Sequence, residues 1–480
     1  MRQIGPLSGG PWAQAMRVSA APFWQHAPMA VITHDIVPLN RTEFGYAAIE
    51  GLAGTMLMPT LLRFSAPVSV DEIRAVLRQV VTAYPKLRAV LEPGLHRYHF
   101  RILPEGPLID QMFEQAFKVQ PWVDIDDPEA LEAWHRELVN EQVPLEHGLC
   151  VRMRFVPHPE RPVLIFAVPH IITDGMTKVH LLKQILRGLN GQPIEAMPVE
   201  APSMIGAIAP ARWWQWPAQV WRSRQHKQAE SQLLRRLHVQ QVPTVLGPHY
   251  TSTALRHHEA STSTTAARQA ARQLGVSLNT FLVAALAQTF LEQAPDDPLA
   301  AAVIRISVDL RKYYPASAGH GPLWGNHVGA YLVIEQGGRK TVAERVRSVD
   351  ASIKEGLARY ARREMCWTYL FEELMPFLGR TLVGHIGTQL KRSHRFPKIS
   401  CHATTLGNVS EINPPDARVG ADAVFVTVNS ISPLPVLAEK DGRLFMPTSW
   451  QLAETSVADM ADFHRRFDAV LARMVAEVVA

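Results

Sequence analysis

The chain has 480 residues, of which 47% are hydrophobic and 19% charged, and a formal net charge of +5. That length is too great for one ordinary core and suits two comparable domains of a globular protein. So mild a basic surplus does not indicate nucleic-acid binding, and it leaves room for an acidic carrier protein, a phosphate-bearing cofactor or an anionic membrane. Cys150, Cys366 and Cys401 are far apart and form no CxxC pair, so a reducing compartment is expected rather than a zinc site or a disulfide framework. The first residues lack the apolar core of a signal peptide, and the longest apolar run, "TFLVAALAQTFL", is too short to span a bilayer. A cytoplasmic protein is expected.

In chain order, residues 1–30 read as irregular. "TLLRFSAPV" (60–68) alternates as a strand does. "SVDEIRAVLRQVVTAYP" reads as a helix, with Ser69 and Glu72 at capping-box spacing, Ile73, Val76, Leu77, Val80 and Val81 at helical period, and Pro85 as the stop. A second helix is expected over 128–141. "CVRMRFVP" and "PVLIFAVPH" form a hairpin turned by "HPERP", and "MTKVHLLKQILRGLNG" is a helix that ends at glycine. Residues 206–245, rich in Pro, Trp and Arg, separate an N-terminal half (1–205) from a C-terminal half (246–480). Pro217 is expected to break any helix in this crossover. Beyond it come strand-like "TSTALRHHEA", a helix ending at Gly275, an apolar helix capped by Ser277, strands "AAVIRISVDL" and "VGAYLVIEQ", and a long amphipathic helix from Val342. "AVFVTVNSI" and "RLFMPTSWQL" are late strands, and a last helix starts near Ser456.

The residues that carry chemistry are in "PHIITDG", Pro169 to Gly175. A strand ending on His170 sets an imidazole at a sheet edge, where ligand sites lie, and its ordinary pKa near 6.5 makes histidine the usual general base. Asp174 is expected to fix the loop, and Gly175 to permit a sharp turn. Taken alone, HxxxDG reads equally well as a buried histidine followed by a capping aspartate. A metal site needs a further ligand, and none has suitable local spacing.

"PHIITDG" resembles the HHxxxDG signature of the chloramphenicol acetyltransferase-like superfamily, which includes peptide-synthetase condensation domains, polyketide-associated acyltransferases, wax ester synthases and alcohol acetyltransferases. Further likenesses follow in the family's order over residues 35–475: "VVTAYPKLRAVL", "VPLEHGLCVRMRFV", "GVSLNTFLVAALA", "SVDLRKYY" with "WGNHVG", and "TTLGNVS". The resemblance implies an α/β (α+β) fold of two similar halves with a tunnel between them. It implies His170 as general base toward an acyl thioester, Asp174 paired with Arg311 in a structural role, and no acyl-enzyme. Pro169 replaces the signature's first histidine. Thr405 replaces an asparagine, so the oxyanion donor is assigned to Thr404 or Thr405, with Asn326 of "WGNHVG" on the donor side. "NTFLVA" differs from the wax ester synthase form, and the absence of DFGWG argues against the plant branch.

The resulting expectation is a free-standing acyltransferase that moves an acyl group from a phosphopantetheine thioester to an alcohol or amine. The thioester is carried by coenzyme A or an acyl carrier protein, and no cofactor is permanently bound and no metal is held. The alternatives are a stand-alone condensation enzyme that releases a carrier-bound polyketide or peptide as amide or ester, and a degenerate, non-catalytic docking module. The Trp213, Trp214, Trp216 and Trp221 cluster reads as a crossover packed on the body, with membrane-surface contact through Trp213–Trp221 as the alternative. His257 and His258 of "RHHEA" read as exposed. "GHGPLWGN" lacks GxGxxG spacing, and neither a P-loop nor GxSxG is present.

Overall fold

The computed structural model describes residues 35–479, apart from 55, 94–97, 198–203, 211, 246, 248–249, 315–323, 339, 365–373, 394 and 397. The expectations for residues 1–30, for Cys366 and for "GHGPL" fall outside this range. The architecture is mixed α/β. In the N-terminal lobe, β2 (Leu57–Phe64), β5 (Phe117–Val119), β6 (Arg152–Val156), β7 (Val163–Pro169) and β13 (Ala421–Val426) form one sheet in the order β13-β2-β7-β6-β5. A small sheet beside it pairs β1 (Asp35–Pro38), β4 (Tyr98–Ile102) and β3 (Ala89–Pro93). The C-terminal lobe is built on β11 (Val328–Gln336), β10 (Ala300–Asp309), β12 (Cys401–Asn408), β14 (Leu434–Lys440), β16 (Thr448–Gln451) and β9 (Thr253–Arg256), in that spatial order. There β15 (Arg443–Phe445) pairs with β14, and β8 (His238–Val239) with β10.

Local sequence explains most of these elements. All seven residues of β7 are buried, because "VLIFAVP" lies between β2 and β6 with antiparallel pairing on both sides. An unbroken apolar run suits a strand covered on both faces. Helix Val70–Ala83 starts where the Ser69 hydroxyl accepts from the Glu72 N–H, and it buries the predicted apolar stripe. The reciprocal half of the expected capping box is not formed: the Glu72 carboxylate pairs with Arg418. Helix Leu278–Leu291 is buried almost all round, covered by helices Thr264–Gln273, Val342–Ala361 and Val457–Val479 and by β10.

Four features differ from the sequence reading. The strand from "AVFV", β13, leaves the C-terminal half and pairs antiparallel with β2, where it covers an edge that would otherwise be bare. "LPVLAEK" forms β14, a strand hidden in the sequence by its proline and its charges. "RLFMPTSWQL" is divided into β15 and β16 around Pro447. Pro217 breaks nothing: it lies in the first turn of helix Trp216–Arg236, which has 21 residues, and a first-turn proline gives up no intrahelical N–H bond. That helix meets the body along a narrow stripe, through Ser223 and the 3.4 Å contact of His226 with Glu364. Only Ser223 is buried within it, and Trp213, Trp214 and Trp221 are exposed.

Candidate active site

The backbone leaves β7 at Pro169 and turns at once. The His170 N–H donates to the Met56 carbonyl at 2.8 Å, and the Tyr84 hydroxyl donates to the Ile172 carbonyl at 2.7 Å, which clamps the turn. His170 Nδ1 lies 2.7 Å from the Thr173 carbonyl oxygen. A carbonyl only accepts, so Nδ1 carries the proton and Nε2 is left with its lone pair; Asn326 Nδ2, itself a donor and 2.9 Å from Nδ1, directs its N–H to the His170 carbonyl at 2.6 Å. Nε2 has no hydrogen-bond partner among the described residues and is not sealed from solvent. Tyr46 stacks on the ring at 4.3 Å between centroids and 17° between planes. Burial lowers the imidazole pKa, against the Thr173 hydrogen bond and the Asp174 charge, so His170 is neutral at pH 7.

Asp174 and Arg311 meet across the lobes. Asp174 Oδ1 accepts from the Thr177 N–H at 3.0 Å and so caps helix Gly175–Leu189, while Oδ2 accepts from Arg311 Nη1 and from the His327 N–H, both at 2.8 Å. Arg311 also donates to Asp309 Oδ1 at 3.1 Å, to Thr177 Oγ1 at 2.8 Å and to the Gly325 carbonyl at 2.9 Å. Burial would raise the carboxyl pKa, but Arg311 and the two backbone donors outweigh it and hold Asp174 at about 2. Asp174 points into this junction and braces the loop below the imidazole.

The other singled-out residues divide. Gly175 is the first residue of its helix and makes no left-handed turn; a Cβ there would come within 3.5 Å of Leu406 of the other lobe. The glycine that does need its freedom is Gly325, at φ +128°, where a Cβ would lie 2.8 Å from Lys86 Nζ in the buried Lys86–Glu43 pair. Asn326 donates from Nδ2 to the His170 carbonyl at 2.6 Å and accepts at Oδ1 from the Val328 N–H, so its amide is engaged in holding the loop. Thr405 donates to Asn279 Oδ1 at 2.5 Å, whereas Thr404 shares a strand face with His402, on which the charge of His170 acts; Leu406 is the extra residue of a bulge between Thr405 and Gly407. Of the two threonines, Thr404 is the one on the site's side.

Sequence reading missed the C-terminal wall. On β10, Arg305 and Ser307 share a face. Arg305 lies in register with His402 of β12, and the Ser307 hydroxyl is 3.0 Å from His402 Nε2. Burial brings His402 down to about 3, with the charges of Arg305 and His170 pushing the same way. Arg305 is exposed and has no carboxylate partner among the described residues. The clue was available in "RISVD", a charged residue at a pleat position of a central strand.

Two further groups lie away from this wall. His257 is not exposed: its Nε2 is 2.8 Å from His135 Nδ1 and its ring stacks on Phe425, while His258 bonds to Asp468. His226, Glu355 and Glu364 bring possible ligand atoms within 4.8 Å of one another. Arg362 is already bonded to both glutamates and takes the place a cation would occupy.

No protein-family model and no curated protein matches the sequence, but solved structures do match the fold. The first condensation domain of the calcium-dependent antibiotic synthetase aligns with a TM-score of 0.69 at 15% identity, over 93% of this chain and 98% of that one. Trichothecene 15-O-acetyltransferase TRI3 from Fusarium sporotrichioides aligns at 0.65 and 10% identity, over 89% and 93%. Polyketide synthase associated protein 5 from Mycobacterium tuberculosis aligns at 0.62 and 14%, over 93% and 100%. The chain has the fold of these condensation-domain and acetyltransferase structures.

Proposed function

We propose that the protein transfers an acyl group from a phosphopantetheine thioester to a hydroxyl or amine, with His170 as general base. The observation that carries this reading is the 2.7 Å contact of His170 Nδ1 with the Thr173 carbonyl, which leaves Nε2 free as the base. Nε2 takes the proton from the acceptor as its oxygen or nitrogen attacks the thioester carbonyl, and the tetrahedral oxyanion forms. Collapse of that intermediate breaks the C–S bond, and the imidazolium returns its proton to the leaving thiolate. A depressed pKa keeps the ring in its basic form at neutral pH. The Thr404 hydroxyl and the positive charge of Arg305 lie on the wall where negative charge develops.

A carrier protein is the preferred donor, because the fold is similar to that of a synthetase condensation domain and a polyketide synthase associated protein; the net charge of +5 suits an acidic carrier and polyanionic coenzyme A alike. The test compares one acyl group on coenzyme A and on a carrier, at low and moderate salt, against a panel of alcohols and amines. Steep slowing with salt for the carrier-bound donor is expected. Equal efficiency with coenzyme A and little salt dependence removes the carrier preference. His170→Ala is expected to lose about 10²–10⁴-fold in turnover while remaining folded. A near-normal rate in that variant defeats the mechanism, whereas a parent protein that consumes no thioester leaves the docking-module reading.

A further inference from the structure

Helix Arg380–Arg392 presents two apolar faces, of which the body uses one. Val383, Gly384 and Gly387 form the packing face. A Cβ at Gly384 would sit 2.6 Å from the Ala48 carbonyl, and one at Gly387 would lie 3.1 Å from Leu52, so the two glycines let the helix lie close against Arg41–Ala48 and Glu50–Ala53. Arg380 bonds to the Ala47 carbonyl and Glu146, and Lys391 pairs with Glu454, which fixes the helix at both ends. The opposite side carries Leu382, Ile386 and Leu390 at four-residue spacing, and the preceding turn adds Leu374, Phe377 and Leu378. These six side chains are between 37% and 59% exposed. Large apolar residues scattered singly on a surface mean little, but an aligned row of them marks a contact surface.

The charge around the row indicates its occupant. From Leu374 to Lys398 there is no aspartate or glutamate, and there are five basic residues: Arg380, Lys391, Arg392, Arg395 and Lys398. Arg392, Arg395 and Lys398 are exposed and form no ion pair among the described residues. A helix with an apolar row and three unpaired cations at its C-terminal end is the pattern of an interfacial helix that lies in the plane of an anionic bilayer. No helix among the described residues is long and apolar enough to cross one.

We propose that the protein docks on an anionic lipid surface through Leu374, Phe377, Leu378, Leu382, Ile386 and Leu390, with Arg392, Arg395 and Lys398 facing the headgroups. The helix beneath this face, Arg41–Ala48, carries Tyr46, which stacks on His170, so the docked surface is separated from the imidazole by that one helix. The contact rests on surface chemistry alone and stands or falls independently of acyl transfer.

Co-sedimentation with vesicles of phosphatidylcholine alone, and with vesicles containing phosphatidylglycerol, tests it. Binding only to the second kind is expected, weakening as salt rises. Leu382→Glu with Ile386→Glu is expected to reduce that binding at least tenfold. Each neutralisation among Arg392→Gln, Arg395→Gln and Lys398→Gln should cost about fivefold. These positions are exposed, so unchanged circular dichroism is expected and rules out misfolding. Trp213→Ser, Trp214→Ser and Trp221→Ser together are expected to keep vesicle binding. The proposal is overturned if no phosphatidylglycerol-dependent binding occurs, or if the tryptophan variant loses it while the Leu382 variant keeps it. It is also overturned if sedimentation shows a dimer that Leu382→Glu abolishes, which would make a second copy the occupant.

Discussion

The two lobes meet at two seams built from opposite chemistry. Beneath His170 the seam is ionic: Asp174 and Arg311 are 2.8 Å apart, and each is saturated by further hydrogen bonds to Thr177, Gly325, His327 and Asp309. At the other seam, where β13 joins β2, the partly exposed Arg63–Asp422 pair lies at the rim, and the buried groups that meet inside are neutral. His257 Nε2 is 2.8 Å from His135 Nδ1, and His135 Nε2 is 3.3 Å from the Pro59 carbonyl. Because Pro59 offers only an acceptor, His135 is protonated on Nε2 and receives a hydrogen bond from His257. Burial brings His135 down to about 4 and His257 well below its ordinary range. The ionic seam fixes the His170 loop through charges that persist well below neutral pH. The neutral seam holds only while its imidazoles stay unprotonated.

The largest expected effect follows from breaking the ionic seam. Asp174→Ala leaves the largely buried Arg311 guanidinium with Asp309 as its carboxylate partner, and strips the Thr177 and His327 N–H groups of their acceptor. Removing one member of such a pair costs roughly 3–5 kcal/mol, and Arg311→Ala should cost a similar amount. Urea denaturation of both variants measures the loss. A variant that unfolds like the parent yet is inactive would move Asp174 from bracing the loop to taking part in the chemistry.

The two seams were not equally legible in the sequence. The ionic one is encoded by short local patterns: a strand that ends on histidine, an aspartate at a helix start, and an arginine closing "SVDLR". Each residue is placed by its own element, but that Asp174 meets Arg311, 137 residues further on, is what the superfamily resemblance implies and no local pattern records. His257 gave no such signal. Its burial depends on β13 crossing from the other half of the chain to lie on β2, a pairing that no local periodicity records. The same limit applied to Arg305 and His402, which become neighbours only through the parallel pairing of β10 and β12. Helix Trp216–Arg236 shows a different gap. Proline was taken as a breaker, but the missing N–H matters only beyond the first turn.

Acid separates the seams. In the unfolded chain His135 takes up a proton near pH 6.5, but in the fold it does so only near 4. Between those values the unfolded state binds more protons, so stability falls as pH falls, by about 1.4 kcal/mol per pH unit for one such group at full slope. His327, His402 and His464, each held at about 3, act in the same direction. Asp174 contributes in the same direction, but only at lower pH. Its stabilisation is full above the ordinary carboxyl range near 3.9 and is lost as pH falls toward 2. Melting temperature is therefore expected to decline from about pH 6.5, well before the ionic seam titrates. A flat profile between pH 6.5 and 4.5 would mean that these imidazoles protonate within the fold, and the contrast between the seams would fail.

The smallest effect, and the most discriminating, is the coupling inside the neutral seam. His257→Leu leaves His135 Nδ1 without its donor, and His135→Leu leaves the Pro59 carbonyl and His257 Nε2 with fewer partners. Each single change is expected to cost about 1–3 kcal/mol, the desolvation penalty of an unsatisfied buried polar group. The double change removes both polar partners and lets two apolar side chains meet beside Phe425, so it should cost clearly less than the sum of the two. Equilibrium denaturation of the four proteins gives the coupling directly. The same cycle on Asp174 and Arg311 should leave a much less stable double variant, because Thr177, Gly325 and the His327 N–H lose partners as well. Additive losses at His135 and His257 would show that the 2.8 Å contact contributes nothing specific, and that the neutral seam is held by β13 pairing with β2 alone.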